Sequence, residues 1–445
     1  MIKKLVIALL LVSFSANAQD TLRVKLEPIE GFKWMMLYKI NGAKQQYVSN
    51  ANLENEEFKL PIPENFSPGT YRAFYDMDNG GYLDFLYNKE SISVTFNPNL
   101  PDETAHFSTS EENKIYQSYL IAINHQQSKI DSLQATYFSA EDKTTFVKPY
   151  SKKLKELNSL QDYFEKESEG KLAQEFIKIT RKHNSPKLHE TPAAYLESLE
   201  SHFFDYIDFD NKTLLNSSIF IDKAIEYIFF INGSEDSKIQ NELRQKAIND
   251  VMQQVGENHL VKSEILSALL YALAGQEELE MVDFVKNKHY DLLPTEHKDS
   301  KFIANIDTML SVAIGRVAPE ITWEEGDKTM NLSDLDEDKK YIVTFWSTTC
   351  SHCLKEIPEL YEFTKEMDSV KVIAVALEDD KFGFNHHTDM MGNWINVLGL
   401  NKWENKIARS YEVHSTPSYF VLDKDKKILS KPEQLADLLA ILGKE

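Results

Sequence analysis

The sequence predicts a multidomain chain of α+β and α/β type, and three observations carry that prediction. Short alternating strands punctuated by Gly and Pro fill residues 19–100. A stretch poor in Gly and Pro, with apolar residues recurring every three or four positions, fills 104–310. Within 311–445, an apolar strand, a Cys-x-x-Cys pair, an amphipathic helix and a second apolar strand follow in order. These read as a small N-terminal antiparallel β-domain, an all-α middle domain and a C-terminal α/β domain.

Residues 1–18 precede them as an expected secretory leader. Lys3 and Lys4 give a positive start, Leu5 to Val12 a short apolar core, and Ala16-Asn17-Ala18 a small-x-small cleavage site. The apolar run is too short to span a bilayer as a helix, and no later stretch is apolar enough to anchor the mature chain. The expectation is an exported, periplasmic protein.

In the β-domain, Thr21 to Leu26 alternates apolar and polar residues, and Trp34 to Ile40 is a second strand before an Asn41-Gly42 turn. Tyr71 to Tyr75 and Tyr82 to Tyr87 flank Asp78-Asn79-Gly80-Gly81 as a hairpin, and Ser91 to Phe96 is a further strand. Asn97 to Pro101 reads as a linker. In the helical region, Ile115, Tyr119 and Ile123 form one apolar face and Leu154, Leu157 and Leu160 another. Breaks are expected near Pro149, Gly170, Pro186, Gly233, Gly256 and Pro294. The stretch His202 to Asp210 is aromatic and acidic and reads as a packing segment between helices. Nothing in 20–310 carries recognisable chemistry.

Composition narrows the partners. The chain is 42% hydrophobic, enough for real cores, and its 70 acidic against 49 basic residues leave a net charge of −21. That balance argues against nucleic acid and against an anionic membrane surface.

The chemistry lies in Tyr341 to Pro358, which holds both cysteines of the chain. Ile342 to Trp346 is a buried strand; Cys350 falls at the first turn of the next helix, where unpaired N–H groups and the helix dipole favour a thiolate. Cys350 is therefore the expected nucleophile, Cys353 the resolving thiol, and His352, when protonated, a further stabiliser of the thiolate. A structural bridge across two residues would constrain the unfolded chain little. A zinc site lacks a second cysteine pair, and His386, His387 and His414 have no matching ligand spacing. The expected redox centre is the cysteine pair itself, with no metal and no other cofactor.

Phe345-Trp346-x-x-x-Cys350-x-x-Cys353 with Pro358 resembles the thioredoxin superfamily. Gly315-x-x-Ala318-Pro319 and Glu356 resemble its TlpA/ResA branch of extracytoplasmic thiol-disulfide oxidoreductases, related to the AhpC/TSA proteins. The resemblance covers 311–445 and implies a thioredoxin fold. It implies exchange with protein thiols and disulfides, and a membrane or periplasmic electron donor or acceptor. It also implies that Pro417 is cis and faces the cysteines, with Thr416 offering backbone groups to an extended substrate. Where many thioredoxins carry a buried Asp, this chain has Thr344, so Glu356 is the expected acceptor of the Cys353 proton. Trp346 stands behind the site, while Thr349 replaces the Trp often found before the first cysteine. Ser67 to Tyr71 and Phe85 to Asn88 resemble the β-domain fused to Bacteroidota members, and the His202 to Asp210 stretch resembles their helical inserts. Two readings compete with a disulfide reductase. A non-enzymatic scaffold is countered by the intact Cys pair and Pro417, and a thiol peroxidase by Val343 at the position where peroxiredoxins need Pro.

Overall fold

The computed structural model describes residues 19–77, 79–231, 233–326, 328–336 and 339–443. The expected leader and Asp78 of the expected hairpin turn lie outside them. The chain divides after Ala268 into two compact units.

The first unit begins as two four-stranded sheets. One has the order β4-β1-β7-β8, from Phe58–Ile62, Asp20–Leu26, Ile92–Phe96 and His106–Phe107. The other has the order β3-β2-β5-β6, from Lys44–Asn52, Trp34–Asn41, Gly69–Asp76 and Gly81–Tyr87. Alternate residues of both sheets, among them Leu22, Val24, Leu37, Tyr71, Phe85 and Phe96, meet in one buried core, which makes this a sandwich. Each large apolar side chain buried there contributes about 1.5–3 kcal/mol.

Three strands were not expected from the sequence, β3, β4 and the two-residue β8, and all are edges. β3 is largely polar and exposed, and β4 contains Pro61, which an edge strand tolerates because no ladder N–H is needed there. The pairing is antiparallel, as expected, at every place but one: β1 and β7 run parallel. Strands joined by a tight hairpin must run antiparallel, but β1 and β7 are linked through the other sheet, which leaves their relative direction free.

A short helix α1 (Pro101–Thr104) leads to α2 (Glu111–Ser139), α3 (Thr144–Glu167), α4 (Leu172–Ile179), α5 (Pro192–His202), α6 (Ile219–Ile225) and α7 (Ser237–Val255). Buried polar groups fasten these helices. Asn113 of α2 behaves as an extra strand residue, accepting from Leu86 N at 2.8 Å and donating to Leu86 O at 2.7 Å. Glu112 beside it caps α4, accepting from the N–H groups of Leu172 at 3.1 Å and Ala173 at 2.8 Å. The break expected at Pro149 is a correction: Pro149 lies inside α3. It is the sixth residue of the helix, so the N–H it lacks leaves Thr145 O without its usual i+4 donor; the helix runs on past it, and the chain turns before Thr144 instead.

Helix α8 (His259–Gly275) leads from the first unit into the second, which continues with α9 (Leu279–Lys288) and α10 (Ser300–Ser311). The Gly315 to Pro319 segment then runs along Lys426 to Ile428. Gly315 N donates to Ile428 O at 2.7 Å, and Ala318 N to Lys426 O at 2.8 Å. A hairpin of β9 (Thr322–Glu325) and β10 (Lys328–Asn331) precedes a five-stranded sheet of order β13-β12-β11-β14-β15. Its strands are Ile395–Leu400, Val370–Glu378, Lys340–Trp346, Ser418–Leu422 and Ile428–Ser430. The first three are parallel; β14 and β15 run antiparallel. β11 and β12 are almost wholly buried, as central strands covered on both faces must be. One face packs Trp323, Tyr411 and Ala408, the last from α13 (Lys406–Ser410). The other packs α11 (Ser351–Thr364) and α14 (Leu435–Leu442) over Ile342, Trp346 and Ala374. A short helix α12 (Phe384–Thr388) follows β12. This is a thioredoxin-like domain.

Candidate active site

The site forms where β11 ends and α11 begins. Cys350 is the N-cap of α11: its Sγ accepts the N–H of Cys353 at 3.3 Å, and its carbonyl accepts from Leu354 N at 3.1 Å. A thiol replaces the hydroxyl or carboxylate usual at an N-cap, so the helix's orphan donors are turned onto sulfur. The Cys350 Sγ–H also donates to the Thr416 carbonyl at 3.3 Å, and the Thr416–Pro417 peptide is cis. The structure thus brings together Cys350, Cys353, Thr416 and Pro417, although 66 residues separate Cys350 from Thr416.

The two thiols are free and differ in exposure: Cys350 is half-buried and Cys353 fully buried. Burial works against the Cys350 thiolate. Hydrogen bonds from the Cys353 thiol and N–H, the Thr416 hydroxyl and the His352 N–H outweigh it and lower the pKa. Burial, reinforced by the hydrogen bond to Cys350, pushes the Cys353 thiol up to about 12. His352 acts on Cys350 through its backbone N–H; its side chain is exposed.

Glu356 is half-buried one turn into α11 and accepts a hydrogen bond from the Tyr419 hydroxyl at 2.9 Å. Tyr419 is almost fully buried. Burial, then the bond to Glu356, raises its pKa, and the charges of Cys353 and Cys350 act in the same direction. Tyr419 therefore lies within electrostatic reach of both sulfurs while hydrogen-bonded to Glu356. Thr344 is fully buried and sits directly opposite Tyr419 in the sheet. Its hydroxyl has no hydrogen-bond partner among the described residues. Trp346 is buried in the same cluster as Cys353 and meets His387 edge to face, with ring centroids 6.3 Å apart.

Reading the sequence missed two contributors. Tyr419 is one, in the strand that follows Pro417. Glu378, at the end of β12 and 3% exposed, is the other. Its carboxylate accepts from Thr348 N at 2.6 Å and Thr348 Oγ1 at 3.0 Å, which pins the loop that delivers Cys350. A glutamate closing an otherwise apolar strand was the available signal, since a buried carboxylate must find donors. A largely apolar cavity of about 290 Å³ is lined by Cys353 together with Trp346, Leu354, Tyr361, His387 and Met391.

Residues 314–431 match the AhpC/TSA family. Over 127 residues the chain is 33% identical to the thiol-disulfide oxidoreductase ResA of Bacillus thuringiensis (strain Al Hakam), spanning 26% of this chain and 68% of that protein. It is 27% identical over 122 residues to the ResA of Bacillus subtilis (strain 168), spanning 27% and 66%. Among solved structures, the thioredoxin domain of a thiol-disulfide oxidoreductase from Bacteroides vulgatus is similar. It shares 27% identity, covers 30% of this chain and 98% of that one, and has a TM-score of 0.27.

Proposed function

The chain belongs, through its C-terminal region, to the ResA family of thiol-disulfide oxidoreductases, and from that premise we propose that it is an exported disulfide reductase working through Cys350 and Cys353. The observation that carries this reading is the asymmetry of the two sulfurs. One is half-buried at a helix N-terminus, its pKa lowered by the hydrogen bonds around it; the other is buried three residues on, its pKa raised.

The steps follow from that asymmetry. The Cys350 thiolate attacks one sulfur of a protein disulfide. The substrate S–S bond breaks, a Cys350–substrate disulfide forms, and the leaving thiolate takes a proton from solvent. Cys353 then loses its proton and attacks Cys350 Sγ. The mixed disulfide breaks, the second substrate sulfur leaves as a thiolate that takes a proton from solvent, and a Cys350–Cys353 bond closes. Two electrons pass from the pair to the substrate, and a dithiol donor outside the membrane returns them.

Because Cys353 sits high, its deprotonation needs an acceptor. Thr344 cannot titrate, and the Glu356–Tyr419 pair opposite it is the acceptor we assign: Glu356 Oε2 receives the proton and the Tyr419 hydroxyl steadies the carboxylate between turnovers. Thr416 and Pro417 flank Cys350 where an extended substrate segment would lie, and the cavity beside Trp346 and Met391 suits an apolar substrate side chain. Export rests on the leader read in residues 1–18. No helix among the described residues is long and apolar enough to cross a membrane.

The test is equilibration of the pair with glutathione followed by thiol trapping, with Cys350→Ser and Cys353→Ser assayed for insulin reduction. A potential near about −250 mV or below, no turnover in Cys350→Ser and an accumulating mixed disulfide in Cys353→Ser are expected. A potential of about −120 to −180 mV would instead make the protein an oxidase or isomerase. A pair that never equilibrates would end the redox reading.

A further inference from the structure

We propose that His183, His202 and Asp205 in the first unit form a binding site for a divalent late transition-metal cation, with Zn²⁺ the ion it suits best. His183 follows α4, His202 ends α5, and Asp205 lies in the turn beyond it. Their three ligand atoms lie within 4.8 Å of one another. Both ring Nδ1 atoms face the same carboxylate oxygen: Asp205 Oδ2 is 2.8 Å from His202 Nδ1 and 3.6 Å from His183 Nδ1. The first distance is a hydrogen bond; the second is too long for one. Three ligand atoms each about 2.0–2.2 Å from a tetrahedral zinc stand roughly 3.3–3.5 Å apart. The two measured separations straddle that range.

The surroundings fit a cation once their charges are paired. The two imidazoles stack with centroids 3.8 Å apart and planes 11° from parallel. With the rings parallel, their in-plane lone pairs do not converge on one point, so binding an ion turns at least one imidazole out of the stack. The adjoining cavity, about 130 Å³, carries Arg181, Lys182 and Lys223. Glu226 pairs with Lys182 at 3.1 Å and Lys223 at 2.8 Å. Glu165 pairs with Arg181 at 3.2 Å. Their positive charge is thereby largely answered before an ion arrives. Two nitrogens and one carboxylate oxygen, with no sulfur, select a borderline cation over calcium or magnesium. Three protein ligands also leave a fourth position, which water or an oxygen donor would take from the cavity. The ion would tie the end of α5 and the aromatic-acidic stretch beyond it to the segment after α4.

The experiment is calorimetric titration of Zn²⁺ into the full chain with Cys350 and Cys353 oxidised, so that their thiolates cannot compete. One equivalent is expected to bind with micromolar or tighter affinity, and the thermal midpoint to rise with added Zn²⁺. His183→Ala and Asp205→Asn should each weaken binding at least tenfold. Because truncation at His202 could disturb the end of α5, His202→Gln is the variant there, its fold checked by circular dichroism. Co²⁺ in place of Zn²⁺ should give the visible absorption of a four-coordinate nitrogen and oxygen site. Absence of saturable binding, or binding unchanged in His183→Ala and Asp205→Asn, would overturn the proposal. Neither result bears on the cysteine pair.

Discussion

Each unit of the chain buries a glutamate on backbone N–H groups, and the two do different things. Glu112, 6% exposed, caps α4 and also accepts from Asn88 Nδ2 at 2.7 Å, so it binds helix to helix and helix to the bend after β6. Glu378, 3% exposed, holds Thr348 by N–H and hydroxyl and so sets the loop before Cys350. The chemistry of burial is the same: a carboxylate enters the interior only when donors replace its water. What differs is what stands next to the donor. Beside Glu112 it is a helix that needs an end; beside Glu378 it is a nucleophile that needs a position.

The most direct way to break this comparison is Glu112→Ala. It strands two N–H groups of α4 and should cost about 2–4 kcal/mol in urea unfolding of the first unit, with disulfide exchange unchanged. Equal loss of exchange would mean that Glu112 serves the site as well.

Glu378→Ala should do the reverse: roughly a tenfold fall in the rate at which Cys350 attacks a disulfide, about 1.4 kcal/mol, with a smaller fall in stability than Glu112→Ala. An unaltered attack rate would reduce Glu378 to a strand end.

The pH dependence separates the two sulfurs. Alkylation of Cys350 should rise with pH and level off below the ordinary thiol value of about 8.5, while Cys353 stays unreactive in the same range. The linkage has opposite signs. The depressed Cys350 pKa adds stability to the reduced protein above the unfolded thiol value, lost as pH falls through the folded one. The raised Cys353 pKa adds stability below the unfolded value, lost as pH climbs toward about 12. Coincident alkylation profiles would erase the asymmetry on which the reductase reading stands.

The smallest expected effect is at Tyr419. Tyr419→Phe removes only the donor to Glu356 and should slow resolution of the mixed disulfide about three- to tenfold, with attack by Cys350 unaffected. Glu356→Gln should slow the same step more. Equal slowing of both steps would point to distortion of β14 rather than proton handling.

Much of the fold was legible because its signals are short-range. Apolar alternation marked β1, β2, β5, β6 and β7, and the long buried run marked β12. β3 and β4 escaped: one is too polar and the other contains Pro61, and an edge strand needs neither apolar alternation nor every N–H. Pro149 misled because a proline removes only one ladder bond, which a helix as long as α3 tolerates.

The sequence by itself determined the strand, the Cys-x-x-Cys pair and the helix behind it, because these are neighbours in the chain and their spacing places a sulfur at a helix N-terminus. Only the tertiary structure decided which groups surround those sulfurs. Glu378 is 30 residues from Thr348 and Tyr419 is 63 from Glu356, and they meet because β12 and β14 are the two strands that flank β11. A carboxylate or a phenol does not announce its partner along the chain. Its role is set by what the sheet lays beside it, and by a low-dielectric interior that makes each such pairing matter.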